Sequence, residues 1–364
     1  MIFHHTQPIV TGGLSGSQVK PYYLEQAFKD IGYDVISLAD YSSKRFQIIK
    51  KIKQEVKKGL KIDFLYSEST PVPTALNDKH HFPLHPFLDF QFFQFLRKRN
   101  IPVGLFYCDI YWKFDHYKKN IVLYKRLILS PFHIYDWLQY CRTLDILFVP
   151  SRGMQEHLPR GFKREIQLAA PGCLLYKIEK KQADLSKQLN LLYIGGITPP
   201  VYDLSNLVQV INKLDNVKLT LCCRQAEWSS FKDYYSHLDK NKVHIVHKSG
   251  DALLNLYKQA DAFVIYRPSH VYTNFMMPVK LFEALGHGLP VISNSCTEVA
   301  AFIQEHDTGF VVKDESEFIN LIKDFQCNPQ TLEAKIEKTI TIRKEHTWEK
   351  RAQAIATALL KIKN

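Results

Sequence analysis

The stretch DALLNLYKQADAFVIYRPSHVYTNFMMPVKLFEALGHGLPVISNSCTEVAAFI, residues 251–303, alternates helix-length amphipathic segments with short apolar runs. It reads as a helix over 250–259, a strand over 262–265, a helix over 278–287 and a strand over 289–293. Short apolar runs bounded by turn residues are strands buried on both faces, and helices between consecutive ones are the crossovers of a parallel sheet. Pro278 fits the first helical position, where its missing N–H costs nothing, so the helix start turns free N–H groups towards an anion. Lys280 and Glu283 lie one turn apart on one face. One can meet a phosphate while the other accepts both hydroxyls of a ribose; a plain surface ion pair is the alternative for the same two residues. The small-residue turn Gly286-His287-Gly288-Leu289-Pro290 permits close packing beside them.

The same αβ rhythm extends in both directions. Before it come strands at 191–196, 217–223 and 243–246 and a helix at 203–214; after it come a strand at 309–312 and helices at 315–325, 330–343 and 347–362. A polar, Lys-rich segment, KIEKKQADLSKQLN (177–190), separates this series from an earlier one. The earlier series has strands near 1–5, 33–38, 62–67, 101–107, 145–149 and 167–170, with helices near 17–31, 43–58, 87–98, 131–141 and 151–158. No period of about 20–50 residues repeats, which excludes a solenoid.

A chain of 364 residues is long enough for two domains of about 150–200 residues. With 46% hydrophobic and 23% charged residues, 15 Gly and 17 Pro, it is neither disordered, collagenous nor a coiled coil. Asp89, Gln91 and Gln94 interrupt the apolar stretch 87–96, and Lys125 and Arg126 interrupt 121–129, so no run reaches the roughly 18 residues of a membrane span. Residues 1–10 read as a first strand rather than a secretory signal, which predicts a cytoplasmic protein. The seven cysteines form no C-x-x-C pair and read as buried thiols. The net charge of +12 is uneven: residues 1–172 carry +9 and residues 173–364 carry +3.

Residues 251–303 resemble the donor-binding half of the GT-B nucleotide-sugar glycosyltransferases, the large group 1 family. The resemblance is carried by the unit Leu256–Ile265, the Pro278-x-Lys280-x-x-Glu283 helix start and the Gly286 to Pro290 turn. It extends less sharply over the whole chain. It implies an α/β fold of two Rossmann-like domains facing a cleft. An acceptor-binding domain would occupy 1–172, a linker 173–190, a nucleotide-sugar domain 191–345 and a C-terminal helix 346–364, the last returning to the N-terminal domain. The implied reaction moves a sugar from a nucleotide diphosphate sugar, a UDP-sugar first among them, to a polysaccharide, lipid-linked or other surface-glycan acceptor. The resemblance implies no metal and no cofactor.

Two departures from the family stand out. Relatives often carry a second glutamate eight residues before the one matching Glu283; here Phe275 stands there. The Arg and Lys that often follow the linker strand to grip the diphosphate are replaced by Gly195-Gly196-Ile197-Thr198-Pro199-Pro200. Arg224, at the end of strand 217–223, and Lys248, after strand 243–246, are the replacements this reading selects, with surface residues as the alternative. Tyr266, Arg267 and Pro268 end a strand, where open sheets present ligand groups; Tyr266 is taken as donor-binding. In the first half, the loop Thr11 to Ser17 contains Gly12 and Gly13, which would let backbone approach the donor.

Asp109 closes the strand 101–108 and is the expected base, with Asp115 as substitute and a helix cap or buried ion-pair role as the alternative. With Phe275 in place of the glutamate, this predicts direct displacement with inversion. The histidines His4, His5, His80, His81 and His116 lack metal-ligand spacing. Lys50, Lys51, Lys57 and Lys58, with Arg97, Lys98 and Arg99 and the phenylalanines of 87–95, suggest a basic rim with exposed aromatics. Such a rim would seat the enzyme on an anionic membrane, on the inner face of the cell membrane; an ordinary solvated helix face is the alternative. A nucleotide-sugar 2-epimerase and an inactive sugar-nucleotide- or glycan-binding subunit are the rival readings. Nucleic acid is not expected as a partner, since the basic residues belong to no recognition module.

Overall fold

A computed structural model describes residues 1–10, 16–114, 121–178, 188–295 and 297–363. The chain divides into two units, residues Met1–Ala170 with Trp348–Asn364, and residues Pro171–Thr347.

The first unit is built on a parallel sheet of β1 (Ile2–His5), β2 (Ile36–Ala39), β3 (Leu65–Glu68), β4 (Val103–Phe106), β5 (Ile146–Val149) and β6 (Glu165–Leu168), in the order β2-β1-β3-β4-β5-β6. β1, β3, β4 and β5 are buried along their whole length, as strands covered on both faces must be. The covering helices are α1 (Gly16–Asp30), α2 (Ser42–Lys57), α3 (Leu88–Arg97), α4 (Leu123–Thr143) and α5 (Arg152–Glu156). Phe3, Phe28, Phe64, Tyr66 and Phe148 pack ring against ring at its centre.

The second unit has β7 (Leu189–Ile194), β8 (Val217–Cys222), β9 (Val243–Val246), β10 (Ala262–Ile265), β11 (Val291–Asn294) and β12 (Gly309–Val312), again all parallel. The order β12-β11-β10-β7-β8-β9 means that the chain starts mid-sheet at β7, runs outward to β9, and returns to the other side of β7 as β10. Strand order therefore reverses between β7 and β10, and ligands of such sheets bind at the carboxyl ends beside that reversal. Its helices are α6 (Ser205–Asn212), α7 (Gln225–Phe231), α8 (Leu254–Gln259), α9 (Val271–Asn274), α10 (Val279–Gly286), α11 (Thr297–His306), α12 (Glu315–Cys327) and α13 (Pro329–Ile342). The last helix, α14 (Trp348–Lys363), belongs to the first unit. Tyr23 of α1 stacks on its Trp348 at 5.8 Å, and Gly104 of β4 leaves room for its Leu359.

Several sequence expectations need correction. The helix expected at 131–141 begins at Leu123, because Pro131 sits inside it rather than at its start. α7, α9 and α11 were not foreseen: the first two are short, and α11 follows β11 directly although Val299, Phe302 and Ile303 give it an apolar face. Of the expected linker 173–190, the described residues 173–178 pack within the second unit, and 179–187 lie outside the described residues. The Cys173 N–H donates to the His346 carbonyl, and Tyr176 stacks on His287 with 3.8 Å between rings. Arg343 ties the same stretch to the end of α10, donating to the carbonyls of Tyr176 at 2.8 Å and Gly286 at 2.7 Å. Not every thiol is buried: Cys327 is exposed at the end of α12, and Cys296 lies outside the described residues.

Candidate functional site

The carboxyl edge of the second sheet gathers most of the residues singled out for donor binding. Gly195 and Gly196 follow β7, Arg224 follows β8, Lys248 follows β9, Tyr266 and Arg267 follow β10, and α10 starts beyond them. Pro278 is the residue just before α10 rather than its first, and no side chain caps the helix start. Glu283 sits on the second turn, half-buried. Its Oε2 accepts from Lys280 Nζ at 2.5 Å and from the Tyr257 hydroxyl at 2.7 Å, while Oε1 has no partner among the described residues. The carboxylate is thus fixed through one oxygen with the other open, an arrangement suited to accepting hydroxyl donors.

Tyr257, on α8, was not picked out from the sequence, and the signal for it is spatial rather than local. Its ring stacks on His287 at 4.2 Å, and His287 stacks in turn on Tyr176. Burial, then the nearby Arg343 and Lys258 charges, push His287 down to about 4, so it is neutral at physiological pH. Burial and the Glu283 charge hold the Tyr257 phenol well above its ordinary range, so it stays a donor. Gly286 and Gly288 set this stack under the 173–178 stretch. A Cβ on Gly286 would come within 2.2 Å of the Leu174 carbonyl oxygen, and one on Gly288, at φ +74°, within 2.4 Å of Ile178.

The remaining donor candidates separate. Tyr266, taken from the sequence as donor-binding, packs its ring in the core, edge-on to Phe318 at 5.5 Å. Strand alternation sends its neighbour Arg267 to the opposite face. Arg267 is 7% exposed, and its backbone N–H donates to Asn294 Oδ1 at 3.4 Å. Arg224 is exposed at the start of α7 and pairs with Glu227 at 3.6 Å; Glu227 also accepts from the Ile197 N–H at 3.4 Å. Lys248 is exposed, and its carbonyl accepts from the Cys222 thiol at 3.4 Å. Phe275, where relatives carry a glutamate, is buried and edge-on to Tyr272 at 5.5 Å.

In the first unit, Asp109 follows β4, half-buried, and its Oδ1 accepts from the Tyr111 N–H at 2.8 Å. This bond spans two residues at the entry to the 3₁₀ turn Tyr111–Lys113, whose N-cap position is Ile110. Gly12, Gly13, Asp115 and His116 lie outside the described residues. The same edge holds groups the sequence did not flag. Lys20 of α1 and Glu68 of β3 form a buried ion pair, the ammonium lying 3.4 Å from the centre of the Phe106 ring and the Tyr66 hydroxyl donating to Glu68 at 2.6 Å. Asp136 of α4 accepts from the Thr74 N–H at 2.7 Å, and burial, aided by the Asp89 charge, raises its carboxyl to about 7.

The basic rim is redrawn by the structure. Lys50, Lys51, Lys57, Lys58, Lys98 and Arg99 are exposed, but Arg97 pairs with Asp145 at 2.8 Å. Arg45, on the same helix as the lysines, is 1% exposed, with Nη2 2.8 Å from Asp89; that carboxylate also meets His4 at 3.0 Å. Phe90, Phe92 and Phe93 are core, so the exposed aromatics expected there reduce to Phe87. The exposed apolar face lies instead on α4, at Leu123, Leu127, Ile134 and Leu138. No described helix is long and apolar enough to cross a membrane.

Residues 188–328 match the family model of the glycosyl transferases group 1. That span holds Glu283, Lys280, Tyr257 and Arg267. Over the whole chain the fold is similar to sucrose-phosphate synthase from Thermosynechococcus elongatus, at 14% identity and a TM-score of 0.65, covering 99% of this chain and 98% of that one. It is similar to Anabaena Alr3699/HepE in complex with UDP-glucose, at 14% identity and a TM-score of 0.64, covering 99% of each chain. It is similar also to WaaG, a glycosyltransferase involved in lipopolysaccharide biosynthesis, at 13% identity and a TM-score of 0.57, again over 99% of each. No curated protein matches the sequence. The fold is that of the GT-B glycosyltransferases. Within it, the match to the glycosyl transferases group 1 model lies in the second unit.

Proposed function

We propose that this protein transfers a glycosyl group from a UDP-sugar to a polysaccharide, lipid-linked or other surface-glycan acceptor. The observation that carries the reading is Glu283, held through Oε2 by Lys280 and Tyr257 and open at Oε1 on the carboxyl side of the second sheet. Two adjacent ribose hydroxyls are the donors such an oxygen suits. The group 1 family match over the same residues supports the donor class, and the UDP-glucose complex of the similar HepE supports the nucleotide. Protein cations, with Arg224 and Lys248 in reach of the carboxyl edge, would offset leaving-group charge without a metal.

Asp109 is the proposed base on the acceptor side, its Oδ1 fixed by the Tyr111 N–H. In-line attack with a base gives inversion. The exposed lysines of α2 and the outward apolar face of α4 would rest on anionic lipid, where a lipid-linked acceptor is found. Incubation with a panel of nucleotide sugars, monitored for release of nucleoside diphosphate and for a glycosylated product, tests the reading. Tight binding of a nucleoside diphosphate with no release under any acceptor would favour an inactive binding subunit. Release of free UDP and an epimerised sugar would favour the 2-epimerase.

A further inference from the structure

Among the described residues, two arginines, Arg45 and Arg267, are buried and Arg343 is partly buried, and the three are compensated differently. Arg45 meets the Asp89 carboxylate with two nitrogens, at 3.0 Å and 2.8 Å. Arg343 makes two short bonds to the carbonyls of Tyr176 and Gly286, the second at a helix C-terminus where a cation is favoured, although its Nε has no partner. Arg267, 7% exposed, has neither: its Nε has no partner, Nη1 reaches only the Met276 sulfur at 3.9 Å, and Nη2 reaches only the Thr273 carbonyl at 3.5 Å. No described carboxylate lies within ion-pair distance of it. A buried cation without a counter-charge is costly and persists in a fold when something else compensates it.

Its position says what that is. Arg267 follows β10, between Asn294 at the end of β11 and the Tyr193 to Gly196 corner at the end of β7, at the reversal of strand order. The Tyr193 side chain folds back over that corner, so that a Cβ on Gly195 would come within 2.9 Å of its hydroxyl. The other cations of this edge are less suited, since Lys280 is neutralised by Glu283, Arg224 faces Glu227, and Lys248 projects into solvent.

We infer that the Arg267 guanidinium receives the diphosphate of the donor nucleotide, in place of the Arg and Lys missing after β7. The inference rests on the nucleotide-sugar reading above. A planar guanidinium binds two phosphate oxygens at once, and a thioether and a carbonyl at the limit of hydrogen-bond range are partners that a phosphate displaces. The Lys280–Glu283 pair is left to the ribose, so charge recognition falls to the end of β10 and hydroxyl recognition to α10.

The test is calorimetric titration of wild type, Arg267→Met and Arg267→Lys with UDP, uridine and pyrophosphate, with a melting curve for each ligand-free protein. Arg267→Met should weaken UDP by about 10–100-fold and leave uridine unchanged, with pyrophosphate binding lost. Arg267→Lys should fall between. Ligand-free Arg267→Met should melt no lower than wild type, because it removes an uncompensated charge. Wild-type affinity for UDP in Arg267→Met would overturn the inference, as would failure of both variants to fold, which would give the guanidinium a structural role. If wild type binds pyrophosphate through Arg267 but no nucleoside diphosphate, the donor reading falls while the anion site stands. If wild type binds neither, both fall.

Discussion

Replacing Asp136 by asparagine should remove a slope from the stability of the first unit between about pH 4 and about pH 8. The Asp136 carboxyl is 5% exposed on α4, with one oxygen accepting from Thr74 and the other without a partner. Burial, reinforced by the Asp89 charge, raises it from 3.8 to about 7. In the unfolded chain it ionises near the ordinary value. Between those two values the unfolded state has released a proton that the folded state keeps, so each rise in pH favours unfolding. At about 1.36 kcal/mol for each pKa unit, the stability withdrawn over the window is about 4 kcal/mol, complete once the pH passes the folded value.

Asparagine cannot ionise, and its amide adds a cost that does not vary with pH. The difference in unfolding free energy, wild type minus Asp136→Asn, should therefore fall by about 4 kcal/mol across the window, whatever its offset. Groups that titrate in both proteins, among them His5 and His133, each lowered to about 4 mainly by burial, cancel in that difference. Urea unfolding followed by tryptophan fluorescence suits the measurement, since Trp112, Trp137 and Trp348 all lie in the first unit. A difference that stays constant with pH would mean that Asp136 ionises in the fold as it does in water, and the reasoning from burial would be wrong.

Other outcomes follow from the donor and acceptor groups. Glu283→Ala should weaken UDP binding by about 1.5–3 kcal/mol in a calorimetric titration, the loss of charge-assisted hydrogen bonds; unchanged affinity for every nucleoside diphosphate removes the ribose assignment. Asp109→Asn should cut turnover by about 10²–10⁴ with little change in donor affinity, and NMR of the product should show an inverted anomeric centre; a retained centre from an active variant returns Asp109 to a structural role alone. Gly286→Ala drives a methyl into the Leu174 carbonyl and should lower stability by about 1–3 kcal/mol, read as an earlier transition of the second unit by hydrogen exchange. Anionic vesicles should sediment the protein less as salt is raised, and equal partition onto neutral vesicles would leave the lysines of α2 a merely solvated face.

The sequence carried the fold because strand and helix periods are local. The four-residue apolar runs at 243–246, 262–265 and 309–312 are strands where expected. It carried Glu283 and Lys280 because three residues along a helix is also a local relation. It did not carry Tyr257, which reaches Glu283 from a helix 26 residues away in the chain. Nor did it separate Tyr266 from Arg267: the two differ only in which side of the sheet they face, and that depends on the register of β10 against β7 and β11. The phenylalanines of α3 misled, and Arg45 went unnoticed, for one reason. Composition suggested a solvated basic and aromatic surface, whereas Asp89 supplies a buried partner for the guanidinium and the sheet supplies cover for the rings.

The return of α14 to the first unit has a consequence for biosynthesis. Its Trp348, Ala352, Ile355 and Leu359 are buried, and Leu359 occupies the space that the missing side chain of Gly104 leaves over β4. During translation, residues 1–170 emerge first but lack this cover until the final stretch has left the ribosome, after the whole second unit has been made. Domains ordinarily finish in the order of synthesis. Here the earlier-made unit closes after the later-made one, so a nascent chain carries an uncovered apolar surface while the second unit is being made, and termination just short of α14 would damage the unit made before it.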